Sequence, residues 1–157
     1  MDLNQVRVRE YRCADRASCL SVFDSNVPSS FLPTERGQFE AFLDELPGPY
    51  LLLENEAGVV IACGGYAVPA GGSHADFCWG MVERSHQGLG LGRLLADLRL
   101  QRIRQDPDIT HVLMNTTQHT RCFFEKLGFV TERVTPDGYA PGLHRCDMRL
   151  IINRTCP

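Results

Sequence analysis

The sequence predicts a mixed α/β fold, a single sheet flanked by helices, and three observations carry that prediction. Strand-like runs crowd the middle of the chain, where Tyr50–Glu54, Val59–Val68 and His74–Val82 follow one another across short glycine-bearing connections. Helical patterns precede and follow that cluster. The last third then reads strand, helix, strand, strand, an order that extends a sheet through a crossover. The 157 residues, 43% hydrophobic and 22% charged, suit one globular domain over 1–157.

Each element has a local reason. Val6 to Tyr11 alternates apolar and polar side chains, the pattern of a half-buried strand. Asp15 is placed to cap a first helix carrying Ala17, Leu20 and Phe23 on one side, and Pro28 with two serines breaks that pattern. A second helix over about Glu35–Leu46 puts Phe39, Phe42, Leu43 and Leu46 on one stripe, and Pro-Gly-Pro at 47–49 ends it. The three central runs form an antiparallel meander, its first turn being Asn55-Glu56-Ala57-Gly58. A third helix spans about Gly90–Gln105, and its arginines at 93, 99, 102 and 104 read as a solvated face. Then come a strand over Thr110–Asn115, a helix over Gln118–Leu127 with Thr116 and Thr117 at its N-cap, and Gly128 as its stop. Strands at Phe129–Val134 and His144–Ile152 close the chain around a loop, Asp137-Gly138-Tyr139-Ala140-Pro141-Gly142.

Composition excludes several function classes. Sixteen basic against nineteen acidic residues give a net charge of −3, without the basic excess of a nucleic-acid binder. No apolar run reaches the roughly 20 residues of a membrane span, and the opening Met-Asp-Leu-Asn-Gln-Val is not a signal peptide. The seven cysteines (13, 19, 63, 78, 122, 146 and 156) are odd in number and form no CxxC, so reduced thiols in a cytoplasmic protein are expected. The five histidines are scattered without HxxxH spacing, so no metal is expected.

The chemistry is carried by Val82-Glu83-Arg84-Ser85-His86-Gln87-Gly88-Leu89-Gly90-Leu91-Gly92-Arg93. A strand ends, three alternating glycines follow, and an amphipathic helix begins. Amides at a helix N-terminus lack intrahelical partners and carry partial positive charge, and glycine lets main chain approach a bulky anion. The stretch is a candidate pyrophosphate cradle; the alternative is a tight strand-to-helix turn. It lacks the Gly-Lys-Ser/Thr ending of a Walker loop. It also fails the Rossmann spacing, because the last glycine position falls on Arg93 or on Leu95.

Gln87-x-x-Gly90-x-Gly92 does match the Q/R-x-x-G-x-G/A signature of the GNAT acetyltransferase superfamily, and Cys122-Phe123-Phe124-Glu125-Lys126-Leu127-Gly128-Phe129 resembles its "Y-E-K-x-G-F" segment. The chain resembles that superfamily over nearly its whole length, and the resemblance implies the GNAT fold: a mostly antiparallel central sheet, about four flanking helices, and splayed fourth and fifth strands. It implies acyl transfer from acetyl-CoA to an amine by direct attack in a ternary complex. The favoured acceptor is a primary amine of a small molecule; alternatives are a peptide or protein amine, and a non-catalytic acyl-CoA-binding domain. A homodimer is a further expectation; nucleic acid and membrane are not expected partners.

Residue by residue, the resemblance assigns the pyrophosphate to the amides of Gly88, Leu89, Gly90, Leu91, Gly92 and Arg93, with Gln87 at the loop's entry. Main chain at Met81 and Val82 would meet the pantetheine arm, with the Val82 amide as oxyanion donor. Asp76, eleven positions before Gln87, is the candidate base, because some members carry a glutamate on that strand. The alternative is a solvated acid at a strand start. Period-two counting places Asp76, Cys78, Gly80 and Val82 on one face and Phe77, Trp79 and Met81 on the other. His74 is the second candidate base, and Glu83 the third. Many members protonate the leaving thiolate with a tyrosine where this chain has Phe124. Tyr139 is the candidate substitute, against a purely connecting role for its loop. Cys122 and His119 are weaker candidates.

Overall fold

The structure, a computed structural model, describes residues 1–154, so Cys156 lies outside the described residues. The elements run β1 (Arg7–Glu10), α1 (Arg16–Ser25), α2 (Arg36–Glu45), β2 (Tyr50–Glu54), β3 (Val60–Ala67), β4 (His74–Val82), α3 (Leu91–Ile103), β5 (His111–Thr117), α4 (Arg121–Lys126), β6 (Val130–Ala140) and β7 (Leu143–Ile151). Hydrogen-bonded neighbours follow the order β1-β2-β3-β4-β5-β7-β6, the seven strands of a mixed sheet in which β4 and β5 are parallel. The chain divides into two compact units. Met1–Ala67 with Cys78–Arg102 forms the first, and Val68–Phe77 with the chain from Ile103 onward forms the second.

In the first unit, β2 pairs antiparallel with β1 and β3, Leu52 standing opposite Arg9 and Cys63. All five residues of β2 are buried, which is why Tyr-Leu-Leu-Leu-Glu reads as a continuous apolar run rather than an alternation. Its odd and even positions serve different clusters. Tyr50 and Leu52 join Cys19, Phe23, Phe39 and Leu43 from α1 and α2, while Leu51 and Leu53 join Ile61 and the α3 residues Leu91 and Leu95. Glu54, though buried, meets Arg9 at 2.6 Å, and the same guanidinium meets Asp15 at 2.7 Å. Asp15 therefore does not cap α1: its carboxylate takes Arg9 and the Arg12 amide instead.

In the second unit, His74–Asp76 of β4 run parallel to His111–Leu113 of β5. β7 pairs antiparallel with all of β5 and with β6. Ala75, Val112, Phe129, Cys146 and Met148 are buried. The β4–β5 ladder pairs His74–Asp76 with His111–Leu113, and β4 itself continues to Val82.

Two boundaries and one residue's burial differ from expectation. Thr116 and Thr117 belong to β5, opposite Cys146 and Arg145, and α4 begins only at Arg121. β-branched side chains fit a pleated strand at least as well as a cap. β6 extends through Asp137-Gly138-Tyr139-Ala140, so Tyr139 is a strand residue and only Pro141 and Gly142 make the turn. On α3, Arg99 is not solvated: it is 2% exposed, one turn beyond Leu95 on the buried stripe.

Candidate active site

The glycine loop is built from its entry inward. Glu83, just past β4, accepts from the Ser85 amide at 3.0 Å and lies 2.6 Å from His86 Nδ1, which closes a single 3-10 turn over Arg84–His86. Hydrogen bonds from Ser85 and His86 hold the Glu83 carboxyl below its ordinary range. That carboxylate is engaged by the turn. Gln87 follows in extended conformation, and its side chain turns inward: Nε2 donates to Asn26 Oδ1 at 2.7 Å and to the Val82 carbonyl at 3.3 Å. Asn26 is 2% exposed and donates from Nδ2 to the Val22 carbonyl, at the end of α1, and to the Val82 carbonyl, at the end of β4. The Arg84 amide donates to Ser25 Oγ beside it. The signature glutamine thus anchors the loop to α1 and β4 through its side chain.

Beyond Gln87 the backbone needs glycine. Gly88 has φ +77° and Gly90 φ +85°, dihedrals that cost a residue with a Cβ about 1–2 kcal/mol each. No atom lies within 4 Å of where a Gly88 Cβ would stand, so the surface there is open. Leu91, 1% exposed, pins the first turn of α3 into the core, and the amides of Leu91, Gly92 and Arg93 fall where a helix has no carbonyl partner for them. Leu89 is 42% exposed, and Arg93 holds Asp97 at 3.4 Å along the helix surface. This open main chain with positive helix polarity suits a pyrophosphate.

Met81 is buried among α1 and α2 side chains, and Val82 packs with the α3 cluster. Trp79 stands in the left-handed region with φ +43°. A left-handed residue inside a strand bends its backbone locally. From it onward, Trp79 and Met81 face α1 and α2, while Gly80 and Val82 face α3.

The second unit holds the other candidates. His74 Nε2 lies 3.5 Å from Asp76 Oδ1 on β4, and the His74 ring stacks on His111 of β5 with centroids 5.4 Å apart. Both β4 side chains are partly exposed, as a proton acceptor must be. Burial, then the nearby Arg149 and His74, lower the His111 pKa. Tyr139 donates its hydroxyl to Asn115 Oδ1 at 2.5 Å, across from β6 to β5. Asp137, also in the left-handed region, accepts from the Gly142 amide at 2.8 Å and so serves the β6–β7 turn. Phe124 packs edge-on against Phe129 with centroids 5.7 Å apart, a purely apolar contact. Cys122 and His119 are exposed on and beside α4. Among the described residues no group of three or more His, Cys, Asp or Glu could hold a metal ion.

Asn26, Tyr50 and Arg99 are the structural surprises. Asn26 follows α1 at a position that reads as an ordinary helix end. Arg99 had a legible signal, the i, i+4, i+8 spacing from Leu91 and Leu95 that places it on the apolar stripe.

Comparison with known proteins agrees with this geometry. No curated protein sequence matches the chain. Among solved structures, the ribosomal-protein-S18-alanine N-acetyltransferase of Escherichia coli superposes with a TM-score of 0.79 at 15% identity, covering 96% of both chains. The spermidine N-acetyltransferase SpeG of Vibrio cholerae superposes with 0.74 at 14% identity over 94% of both chains. The protein yncA of Salmonella typhimurium, solved with acetyl-CoA as its cofactor, gives 0.74 at 18% identity over 97% of this chain and 96% of its own. Such identities establish a shared fold, and the family assignment comes from sequence: the acetyltransferase (GNAT) domain family matches residues 39–152, which include β4, the glycine loop, α3 and β5 to β7. The chain belongs to the GNAT acetyltransferase family.

Proposed function

We propose that the chain is a single-domain N-acetyltransferase, using acetyl-CoA to acylate a primary amine of a small molecule by direct attack in a ternary complex. The observation that carries this reading is the loop Gln87–Arg93, with its two left-handed glycines and its inward-turned glutamine at the start of α3. The amides of Gly88 to Arg93 receive the pyrophosphate, and main chain at Met81 and Val82 meets the pantetheine arm. The Val82 amide is the donor for the oxyanion. Acetyl-CoA supplies an activated acyl group whose thioester carbon takes the amine's lone pair and whose sulfur leaves as thiolate.

Asp76 is the base that takes the proton from the incoming ammonium, and His74, 3.5 Å away, is its neighbour in that task. With Phe124 in place of a tyrosine, Tyr139 is the hydroxyl that gives its proton to the thiolate as the C–S bond breaks, and it recovers one from the second proton that the acylated nitrogen sheds, while Asp76 passes the first to solvent. Free thiols at Cys13, Cys19, Cys63, Cys78, Cys122 and Cys146 support a reducing, cytoplasmic setting. Among the described residues no helix is long and apolar enough to cross a membrane. The amine is the least constrained part, since similar folds include enzymes named for spermidine and for a ribosomal protein. Phe124 favours one competing reading, an acyl-CoA-binding domain without turnover.

Calorimetric titration with acetyl-CoA, with ATP and NAD as controls, tests the cradle, and thiol release across a panel of amines tests turnover. Selective acetyl-CoA binding with amine-dependent thiol release is expected. Binding without release by any small amine or peptide would establish the competing reading. Asp76→Asn should lower kcat/KM about 100-fold with little change in acetyl-CoA affinity. Unchanged kcat/KM would remove Asp76 from the mechanism.

A further inference from the structure

Arg99 is the only buried arginine among the described residues, and the proton-transfer scheme above does not use it. It is 2% exposed and reaches from α3 onto a floor of two glycines. A Cβ on Gly80 would stand 2.9 Å from Nη2 and 3.1 Å from Nη1, and a Cβ on Gly64 would stand 3.4 Å from Cζ. The guanidinium donates from Nε to the Leu95 carbonyl at 3.2 Å and from Nη1 to the Gly65 carbonyl at 3.3 Å. Burial lowers its pKa to about 10, so it is a cation throughout the physiological range.

A second contact meets the same stretch of β4 from the other face. Tyr50, 2% exposed in the cluster with Phe39 and Phe42, donates its hydroxyl to the Trp79 carbonyl at 2.9 Å. Trp79 is the left-handed residue and Gly80 the one after it, so Tyr50 hydrogen-bonds one residue of the kink while Arg99, anchored to Leu95 and Gly65, packs over the next. Gly80 itself is exposed although its side-chain position is filled by Arg99; what is open there is main chain. A non-glycine residue keeps a left-handed backbone only where its surroundings impose it.

We propose that Tyr50 and Arg99 are positioning residues which clamp the β4 kink at Trp79–Gly80 from its two faces and thereby hold the main chain of Gly80 to Val82 in the geometry that acyl transfer needs. The inference rests on the functional reading above for its kinetic consequence, and on the kink alone for its structural one. Tyr50→Phe removes one hydroxyl and leaves the ring in its packing. Arg99→Met keeps the reach of the side chain and removes its donors, and Arg99→Lys keeps the charge without the planar fork.

The experiment measures amide hydrogen exchange of the ligand-free protein at residues 79–82, with Ile61 as a core reference, alongside kcat and KM. In Tyr50→Phe and Arg99→Met, exchange at Gly80 and Met81 should quicken about tenfold while Ile61 is unchanged. The kcat should fall about ten- to 100-fold, with KM for acetyl-CoA within about threefold of wild type. Arg99→Lys should recover part of both losses. Unchanged local exchange in a folded Tyr50→Phe would overturn the clamp, and so would a uniform quickening that includes Ile61. If the wild type neither binds acetyl-CoA nor turns over, the functional reading falls, and local exchange still decides the clamp.

Discussion

Asn26 shows how much of a ligand loop's geometry rests on a residue that bears no motif. Its amide group accepts from the exposed Gln87 and donates to the carbonyls of Val22 and Val82, while Asn26 itself is 2% exposed. Asn26→Ala hands the exposed Gln87 amide to water and removes the side-chain donor from the Val22 and Val82 carbonyls; losing such hydrogen bonds costs about 0.5–1.5 kcal/mol each. The expected outcome is a lower urea midpoint together with a weaker acetyl-CoA titration, whereas Ala at exposed Arg93 should leave the midpoint in place. A variant that keeps full acetyl-CoA affinity would show the loop to be rigid without Asn26. Gln87 was legible because a signature needs few neighbours in sequence. Its partner was not, because the two lie 61 positions apart and only the fold joins them. The same holds for Tyr50 and Trp79, 29 positions apart.

At the scale of elements, what could be read was periodicity, and what could not was its interruption. The bounds of β2 and β4 were legible to the residue, since apolar runs ended at Pro-Gly-Pro or at glycine-rich turns. The left-handed Trp79 inside β4 gives no compositional sign, although the residues from it onward keep the counted faces, Trp79 with Met81 and Gly80 with Val82. β6 is longer than its composition suggests: Pro136, Asp137 and Gly138 look like turn residues, yet the strand runs through them with irregular register to β7.

The pairing of β4 with β5 also sets a pH dependence, because it stacks His74 on His111. Burial first, then the neighbouring Arg149 and His74, lower the His111 pKa, and the more weakly acting Glu132 and Asp76 oppose them. An unfolded imidazole titrates near 6.5. Below that pH the unfolded chain binds a proton that the folded one resists, so stability is lost as pH falls from about 6.5 through the lower folded value. The urea midpoint should therefore drop between pH 7.5 and 5.5, and His111→Gln should shrink that drop. An equal drop in the variant would assign the acid sensitivity to other groups.

For the whole molecule, the two units carry different parts of the proposed chemistry. The cradle, the β4 kink and the Asn26–Gln87 hub belong to the first, and Asp76, His74 and Tyr139 to the second. The order of elements and the family were legible from the first strand to the last, since each rests on local pattern. The acceptor was not, because specificity depends on which side chains the fold gathers, and no stretch of Asn26–Gly37 or Asp137–Gly142 names a ligand. The division of labour makes a kinetic prediction. Gly90→Val forces a β-branched residue into φ +85°, with Leu3 Cδ1 3.2 Å from the new Cβ, and should weaken acetyl-CoA binding at least about tenfold. Asp76→Asn should act on the proton-transfer step and leave that binding alone. If the first change acts on association and the second on chemistry, their effects on kcat/KM multiply, so the double variant should equal the product of the two factors to within about twofold. A double variant no worse than Asp76→Asn alone would mean that both substitutions act on one step, and the assignment of binding to one unit and proton transfer to the other would have to be given up.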